Sequence, residues 1–463
     1  MPVDRQGVVD SARYLRRVRP IDPAEIREYV EGQPHEAVVR QVLREEAAHL
    51  GLVEHEDGTF TPVEEGPVSV ELDVVDAVPA RYIEVLEDRL VDRYGIEYAT
   101  GETGAEIRET IRRLKADYYH QHHVEYDADV ALAYAVYHLA DYYAVGQYVV
   151  SELAHHDCIP RKLRVLDVGA GVGGPAMGLA DLLPDDCLVD YHAVEPSAAA
   201  DLLRNFLGET GRNFHWTVHE ETAEDFEPDT YDLVTCYNVL SELQDPTAVA
   251  ERYFDATAED GTFLAVAPAD LNTSTQLREV ERELEDGGAT VWGPTVRLWP
   301  DERPTDRGWS FDEKPDIDAP RPMTRIAENA DRPSEFLNTD VKYSYSALRH
   351  DDRRRVVLQL SPARFAKLAD SERHVTDRVD LVAAKLSHNL AEDDANPLYK
   401  VSDGSEDTEH YAVHVRETSL NESLRTAGYG DVIHFEQILV LWNNDEQAYN
   451  LVVDEDTIVD RFV

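Results

Sequence analysis

The stretch "VLDVGAGVGGP", residues 165–175, constrains the fold of this chain more than any other. An aliphatic run passes into glycines at 169, 171 and 173 and then into an apolar helical stretch. That order reads as strand, tight turn and helix. Glycine allows the turn and lets backbone amides approach a ligand closely, so the segment reads as a nucleoside-binding loop with Asp167, Gly169, Gly171 and Gly173 at its centre. Glu195, 24 residues beyond Gly171, closes the next strand, where a carboxylate can accept hydrogen bonds from both hydroxyls of a ribose.

The surrounding sequence repeats the alternation. "LRVLDVG", "LVDYHAVE", "FHWTVH", "YDLVTC" and "GTFLAVA" read as strands, with helices at 175–183, 197–208 and near 246–258. This is a βαβ series and predicts an α/β core with a parallel sheet and helices on both faces. Four regions follow. Residues 1–78 hold two amphipathic helical stretches and two short strands across an Asp57-Gly58 turn, the pattern of a winged-helix-like domain. Its second helix sets Glu45 and Glu46 beside Arg40 and Arg44, which favours protein contact or scaffolding over groove reading. Residues 79–156 form a helical region. Residues 157–368 form the core, with an insertion at 269–338 of little periodicity. Residues 369–463 are β-rich, with strands in "HYAVHVRE", "DVIHFEQILVLW" and "AYNLVVD", and suggest a small barrel of the oligonucleotide-binding type.

Composition bounds the setting. Asp and Glu total 93 against 44 Lys and Arg, for a net charge of -49, and the acids are spread along the whole chain. Dispersed carboxylates keep a protein hydrated at molar salt, where screening acts within about 3 Å, so the expected habitat is a halophile's cytoplasm. No apolar stretch suits a signal peptide or a membrane span. Cys158, Cys187 and Cys236 lack the spacing of a disulfide framework or a zinc site, and the histidines at 120, 122, 123, 155 and 156 match no ligand motif, so no metal is expected.

With Glu195 and the fourth-strand run "YDLVTCYN", the glycine loop resembles that of class I S-adenosylmethionine-dependent methyltransferases. The resemblance implies a Rossmann-like core, S-adenosylmethionine as cofactor, and a cofactor set of Asp167, Gly169, Gly171, Gly173, Glu195, Glu221 and Asn238. An adenine-contacting residue falls in "HEETAEDF", where Thr222 holds the expected register and Glu221 or Glu224 can substitute. "CYNVLSEL" lacks the Pro-Pro-aromatic run of enzymes that methylate nucleic-acid amines. Cys236 reads either as a pyrimidine-attacking nucleophile or as a buried strand residue. No catalytic acid or base is assigned.

Over about residues 125–365, "AYAVYHLADYYAVGQYVVSEL", "YNVLSEL" and "VKYSYSALRHD" resemble the methyltransferase-like proteins of the mitochondrial small ribosomal subunit and their bacterial and archaeal relatives. The resemblance implies binding to small-subunit ribosomal RNA, with or without methyl transfer. The mitochondrial members hold an iron–sulfur cluster on cysteines partly within the insertion. Here Trp309, Ser310 and Phe311 stand in the corresponding stretch without cysteine, so no cluster is expected, and packing of Trp292, Trp299 and Trp309 or RNA contact must order the insertion instead. Residues 341–367 carry seven Lys or Arg against two acids. In "VKYSYSAL" and "RVVLQL", read as two strands, the resemblance offers Lys342, Arg349, Arg353, Arg354 and Arg355 to RNA. The alternative is an ordinary hairpin whose arginines pair with this chain's own carboxylates, with Tyr343 and Tyr345 in the core.

Overall fold

The computed structural model describes residues 4–120, 122, 124–392 and 395–462; His123, one of the histidines weighed for metal, lies outside them. The chain divides into two compact units, Met1–Thr235 with Pro315–Thr339, and Cys236–Lys314 with Asp340–Val463.

The first unit begins with helices Arg5–Leu15, Pro23–Ile26, Glu36–Glu45 and Ala47–Leu50. Asp4 and Asp22 cap the first two by accepting amide hydrogen bonds from Gly7 and Ala24. The hairpin β1 (Leu52–Glu54) and β2 (Phe60–Pro62) turns at the expected Asp57-Gly58, and Ile21 bridges to Phe60 from between the first two helices. Val8, Ala12, Leu15, Ile26, Val39, Leu43 and Phe60 make one apolar core. Helices Ala80–Tyr94, Gly101–Tyr119 and Ala128–His155 follow, and a piece of the expected insertion joins them. Its helix Arg321–Glu328 is tied by Arg108 to the Ile326 carbonyl, and Asn338 donates to the Tyr137 carbonyl. Strands β3 (Lys162–Val168), β4 (Leu188–Val194), β5 (Phe214–His219) and β6 (Tyr231–Tyr237) then alternate with helices Gly174–Leu182 and Ala199–Leu207, as the hydrophobic pattern predicts. Their order is β5-β4-β3-β6, with β3, β4 and β5 parallel.

The second unit holds β7 (Thr257–Pro268), β8 (Thr290–Gly293), β9 (Asp312–Lys314) and β10 (Val341–Arg349). Strand β10 is antiparallel to all three of the others. The remainder is β11 (Arg378–Lys385), β12 (Leu398–Ser402), β13 (His410–His414), β14 (Val432–Asn443), β15 (Ala448–Val453) and β16 (Ile458–Arg461). The path β11-β12-β13-β15-β14 closes through β11–β14 pairing into a five-stranded barrel with β13 and β15 parallel, in line with the small barrel expected at the C-terminal end.

Two expectations are corrected here. "RVVLQL" forms no strand; residues 353–360 run as irregular chain whose Val356, Leu358 and Leu360 pack against an apolar cluster that includes Val296, Leu298, Trp299 and Val382. The insertion is not aperiodic either: it contains the helix Leu271–Asp286, two strands and the helix Arg321–Glu328. Its order comes partly from Trp292 and Trp299, both buried, and more from a buried ion network. Glu281 accepts from Arg278, Ser346 and Thr295 at 2.5, 2.7 and 2.7 Å and from Arg297 at 3.2 Å. Lys400 of the barrel pairs with Asp306, and the Trp299 indole donates to Asp403 at 2.7 Å. Ser310 donates to the Leu386 carbonyl and shares a hydrogen bond with the Tyr429 hydroxyl at 2.7 Å.

Burial opposes ionisation of Glu281, but attraction by Arg278 and Arg297 outweighs it and holds the carboxyl at about 2. Because this lies below the ordinary value, the stabilisation is present above roughly pH 4.3 and is lost as pH falls through 2. Glu281→Gln leaves the buried Arg278 without its counter-charge, while Arg297 keeps Glu285 at 2.8 Å, and a loss of about 3–5 kcal/mol is expected. Denaturant unfolding at constant salt reads this as a lower midpoint with unchanged slope; a midpoint equal to wild type would show the network to be energetically neutral.

Candidate cofactor site

At the end of β3 the chain must turn sharply. The amides of Gly169 and Ala170 both donate to the Val194 carbonyl, at 2.8 and 3.2 Å, pinning the loop to the end of β4. Gly171 and Gly173 adopt left-handed backbone, with φ of 54° and 89°. They serve differently. A Cβ on Gly173 would stand 2.4 Å from Leu203 Cδ1, so this glycine allows the next helix to pack. A Cβ on Gly171 would meet nothing within 4 Å, so its open face is where a ligand can approach the backbone.

Glu195 is the clamp of this cradle. It is 7% exposed; one oxygen accepts the Gly171 amide at 2.8 Å and the other the Ser197 amide at 2.9 Å. Each carboxylate oxygen has a second acceptor site, so both remain able to take a ribose hydroxyl. Its own amide donates to the His219 carbonyl at the end of β5. Gly169, Gly171, Gly173 and Glu195 are therefore brought together as the spacing implied.

Asp167 is not part of that open surface. It is 2% exposed and accepts hydrogen bonds from the hydroxyls of Tyr191 on β4 and Thr235 on β6. It fastens three strands beneath the loop. Burial raises its carboxyl to about 6 against the two hydroxyls, which pull it down. Glu221 is exposed just past β5, and Thr222 closes a turn with Asp225 in which its hydroxyl donates to the carboxylate at 3.0 Å. Asn238 belongs to the second unit, in left-handed backbone with its amide bonded to the Val266 carbonyl. Cys236 is completely buried, which removes it as a nucleophile toward a pyrimidine.

The basic residues offered to RNA divide. Arg349 is 2% exposed and its guanidinium is satisfied by Asp351, the Thr262 hydroxyl and the Asp260 carbonyl, so it is an internal strut and no RNA contact. Arg355 is mostly buried near Asp431. Lys342 is exposed and pairs with Glu313 and Asp340, while Arg353 and Arg354 lie at the surface. Tyr343 and Tyr345 are core residues.

Sequence profiles agree with this layout. Residues 166–263 match a "Methyltransferase domain", and residues 5–56 and 369–462 match the N- and C-terminal domains of a "Domain of unknown function (DUF8157)". No curated protein matches the sequence. Solved structures with partial likeness include the plantazolicin methyltransferase BpumL in complex with SAH, at 10% identity and TM-score 0.29, covering 58% of this chain and 98% of that one. A SAM-dependent methyltransferase from Aquifex aeolicus follows at 17% and 0.27, covering 41% and 92%, and the mitomycin 7-O-methyltransferase MmcR at 16% and 0.24, covering 57% and 76%. The chain thus contains a methyltransferase domain of the S-adenosylmethionine-binding type. The cradle fits that cofactor through the open face of Gly171 and the buried carboxylate beside it. Gly169, Gly171 and Glu195 would hold it, and it supplies a methyl group made electrophilic by the sulfonium.

Because Asp167 ionises at about 6 when folded, above its ordinary range, its contribution to stability is complete below about pH 3.9 and fades as pH rises through 6. Asp167→Asn keeps the shape without the charge. Thermal unfolding between pH 5 and 7.5 should lose part of its downward slope in that variant; an identical slope would show that Asp167 does not titrate there.

Proposed function

We propose that this chain is an S-adenosylmethionine-dependent methyltransferase-like factor that acts on RNA of the small ribosomal subunit. The observation that carries the cofactor half is the Glu195 carboxylate held between the Gly171 and Ser197 amides. The RNA half is supported by surface chemistry. Arg13, Tyr14, Arg17 and Val18 are exposed in an acid-free run, "RYLRRVR", of a strongly acidic chain, with Tyr14 and Val18 at 74% and 66%. Arg353 and Arg354 are exposed as well. Arginine forks with an exposed ring suit nucleic acid at high salt, where long-range charge is screened and stacking persists. The N-terminal helices and hairpin, taken as a winged helix, would present that run.

A second reading, methyl transfer to a small molecule, is favoured by one feature. The barrel's β12–β13 side, the face that such barrels use for oligonucleotides, is covered by residues 296–309 of the same chain. The Leu298 and Thr305 amides donate to the Asp403 and Glu406 carbonyls, and Lys400 on β12 is 2% exposed against Asp306.

Glu195→Ala should abolish S-adenosylmethionine binding by calorimetry, since the cradle loses the acceptor that orders two of its amides. Crosslinking with RNA sequencing at native salt should recover small-subunit RNA. Retained cofactor binding without RNA would favour the second reading, and intact affinity in the Glu195 variant would remove the site. Methyl transfer to purified subunits separates an enzyme from a binding-only factor.

A further inference from the structure

The helix Ala128–His155 is buried along nearly its whole length. Between Val130 and Ser151 every residue is buried except Tyr134, His138 and Tyr142. Spacing of i, i+4 and i+8 puts them on one face. Their rings converge: Tyr134 and Tyr142 lie 5.0 and 5.1 Å from His138 and 6.3 Å from each other, with planes within 41°. Tyr126 meets Tyr134 at 5.8 Å and Tyr118 meets His138 at 6.4 Å, both edge-on.

Two contacts set this aromatic cluster beside the cradle. The Ala198 amide, three residues after Glu195, donates to the Tyr126 carbonyl at 3.3 Å. At the other end, a Cβ on Gly174, the first residue of the helix after the glycine loop, would stand 3.1 Å from Tyr142 Cβ.

His138 is also oriented. Its Nδ1 lies 3.0 Å from Asp141 Oδ2, and Asn338 donates to the same oxygen at 2.8 Å and to the Tyr137 carbonyl at 3.1 Å. Those two acceptors use both amide hydrogens of Asn338, although its nitrogen is also 3.2 Å from Nδ1. The Nδ1 hydrogen therefore goes to Asp141, which is 7% exposed, and the lone pair stays on Nε2. Among the described residues Nε2 has no hydrogen-bond partner. A histidine serving only to pack the helix needs neither the oriented carboxylate nor an Nε2 left without a partner at the partly exposed edge of the cluster.

We propose that Tyr134, His138 and Tyr142 form the acceptor site of the methyltransferase domain, taking a planar nitrogen heterocycle of the nucleobase class against the rings, with His138 Nε2 as proton acceptor. This rests on the S-adenosylmethionine-dependent reading above. The acceptor's N–H nitrogen forms the new N–C bond as the donor's C–S bond breaks, leaving its electron pair on sulfur. The nitrogen's proton passes to Nε2 and from there to water. Asp141 and Asn338 are positioning residues, fixing the tautomer that accepts.

The test uses the full chain with saturating S-adenosylhomocysteine, whose binding is first measured by calorimetry. Diethylpyrocarbonate labelling of His138 is followed by mass spectrometry, with exposed His155 as internal reference. A mixed-sequence single-stranded RNA dodecamer, or free nucleosides in a parallel arm, at about ten times its own dissociation constant should slow His138 labelling about tenfold and leave His155 unchanged. Protection by nucleosides alone assigns the same chemistry to a small-molecule acceptor. Tyr134→Ala should weaken the protecting probe about tenfold at unchanged cofactor affinity. His138→Phe, which keeps a ring, should still bind the probe but lose methyl transfer. Cofactor binding with His138 labelling indifferent to every probe would overturn the acceptor site while sparing the cofactor reading; failure to bind S-adenosylhomocysteine would remove both.

Discussion

The hydrogen bonds that Glu195 accepts from Gly171 and Ser197 are what the rest of the site depends on. A parallel sheet delivers the C-terminal ends of its strands to one edge, and the loops leaving that edge hold backbone amides without ladder partners. At β3 and β4 those amides converge. Val194 takes two of them through its carbonyl and Glu195 takes two through its carboxylate, so one short segment orders both loops. A buried carboxylate is costly unless it is hydrogen-bonded, and these amides satisfy it while leaving lone pairs for a ligand. The glycines make this possible by bringing backbone, with no side chain between, up to an acid on the neighbouring strand.

Much of this was legible in the sequence because the relevant signals are local. The alternation of strands and helices from 162 to 268 follows from hydrophobic period, and the loop from glycine spacing. The role of Asp167 was not legible in the same way. Its partners, Tyr191 and Thr235, lie 24 and 68 residues away, on strands whose register alone brings their hydroxyls to one carboxylate. The "RVVLQL" run failed for a related reason. It has the composition of a strand, but its Val356, Leu358 and Leu360 are taken up by an apolar cluster that includes Val296, Leu298, Trp299 and Val382, so packing satisfies them without a ladder. The Tyr134, His138 and Tyr142 stripe was present as an i, i+4, i+8 pattern, yet in sequence it merges with an apolar helix. Only the burial of every residue between them makes it distinct.

The basic segment at 341–367 shows how local charge can mislead in a chain of net charge -49. Arg349 stands at the end of an almost wholly buried strand and is held by a carboxylate, a hydroxyl and a carbonyl. Arg278, Arg297 and Lys400 are likewise internal. In each case the cation meets an acid or a carbonyl of its own unit. Salt screens exposed charges over a few ångströms at molar concentration but hardly reaches buried pairs, so interior cations keep their attraction while the acidic surface is relieved of its repulsion. The positive charges of such a chain are therefore most useful inside.

That division bears on where a polyanion could bind. A cation buried in an ion network cannot exchange its partner for phosphate without exposing a carboxylate, whereas an exposed arginine gives up only water and weakly held ions. Arg349 and Lys400 fall in the first group; Arg13, Arg17, Arg353 and Arg354 lie at the surface, with Arg13 beside Asp10 and His49 and Arg354 donating to the Arg297 carbonyl. For the RNA proposed above, attraction to these few arginines weakens as salt rises, so selectivity must come from contacts that salt does not screen, such as stacking on aromatic rings. In the acceptor-site proposal, the largely buried ring triangle beside the glycine loop supplies that contact from the helix that precedes the methyltransferase domain, so a planar acceptor is held at the reacting end without strong electrostatic capture elsewhere.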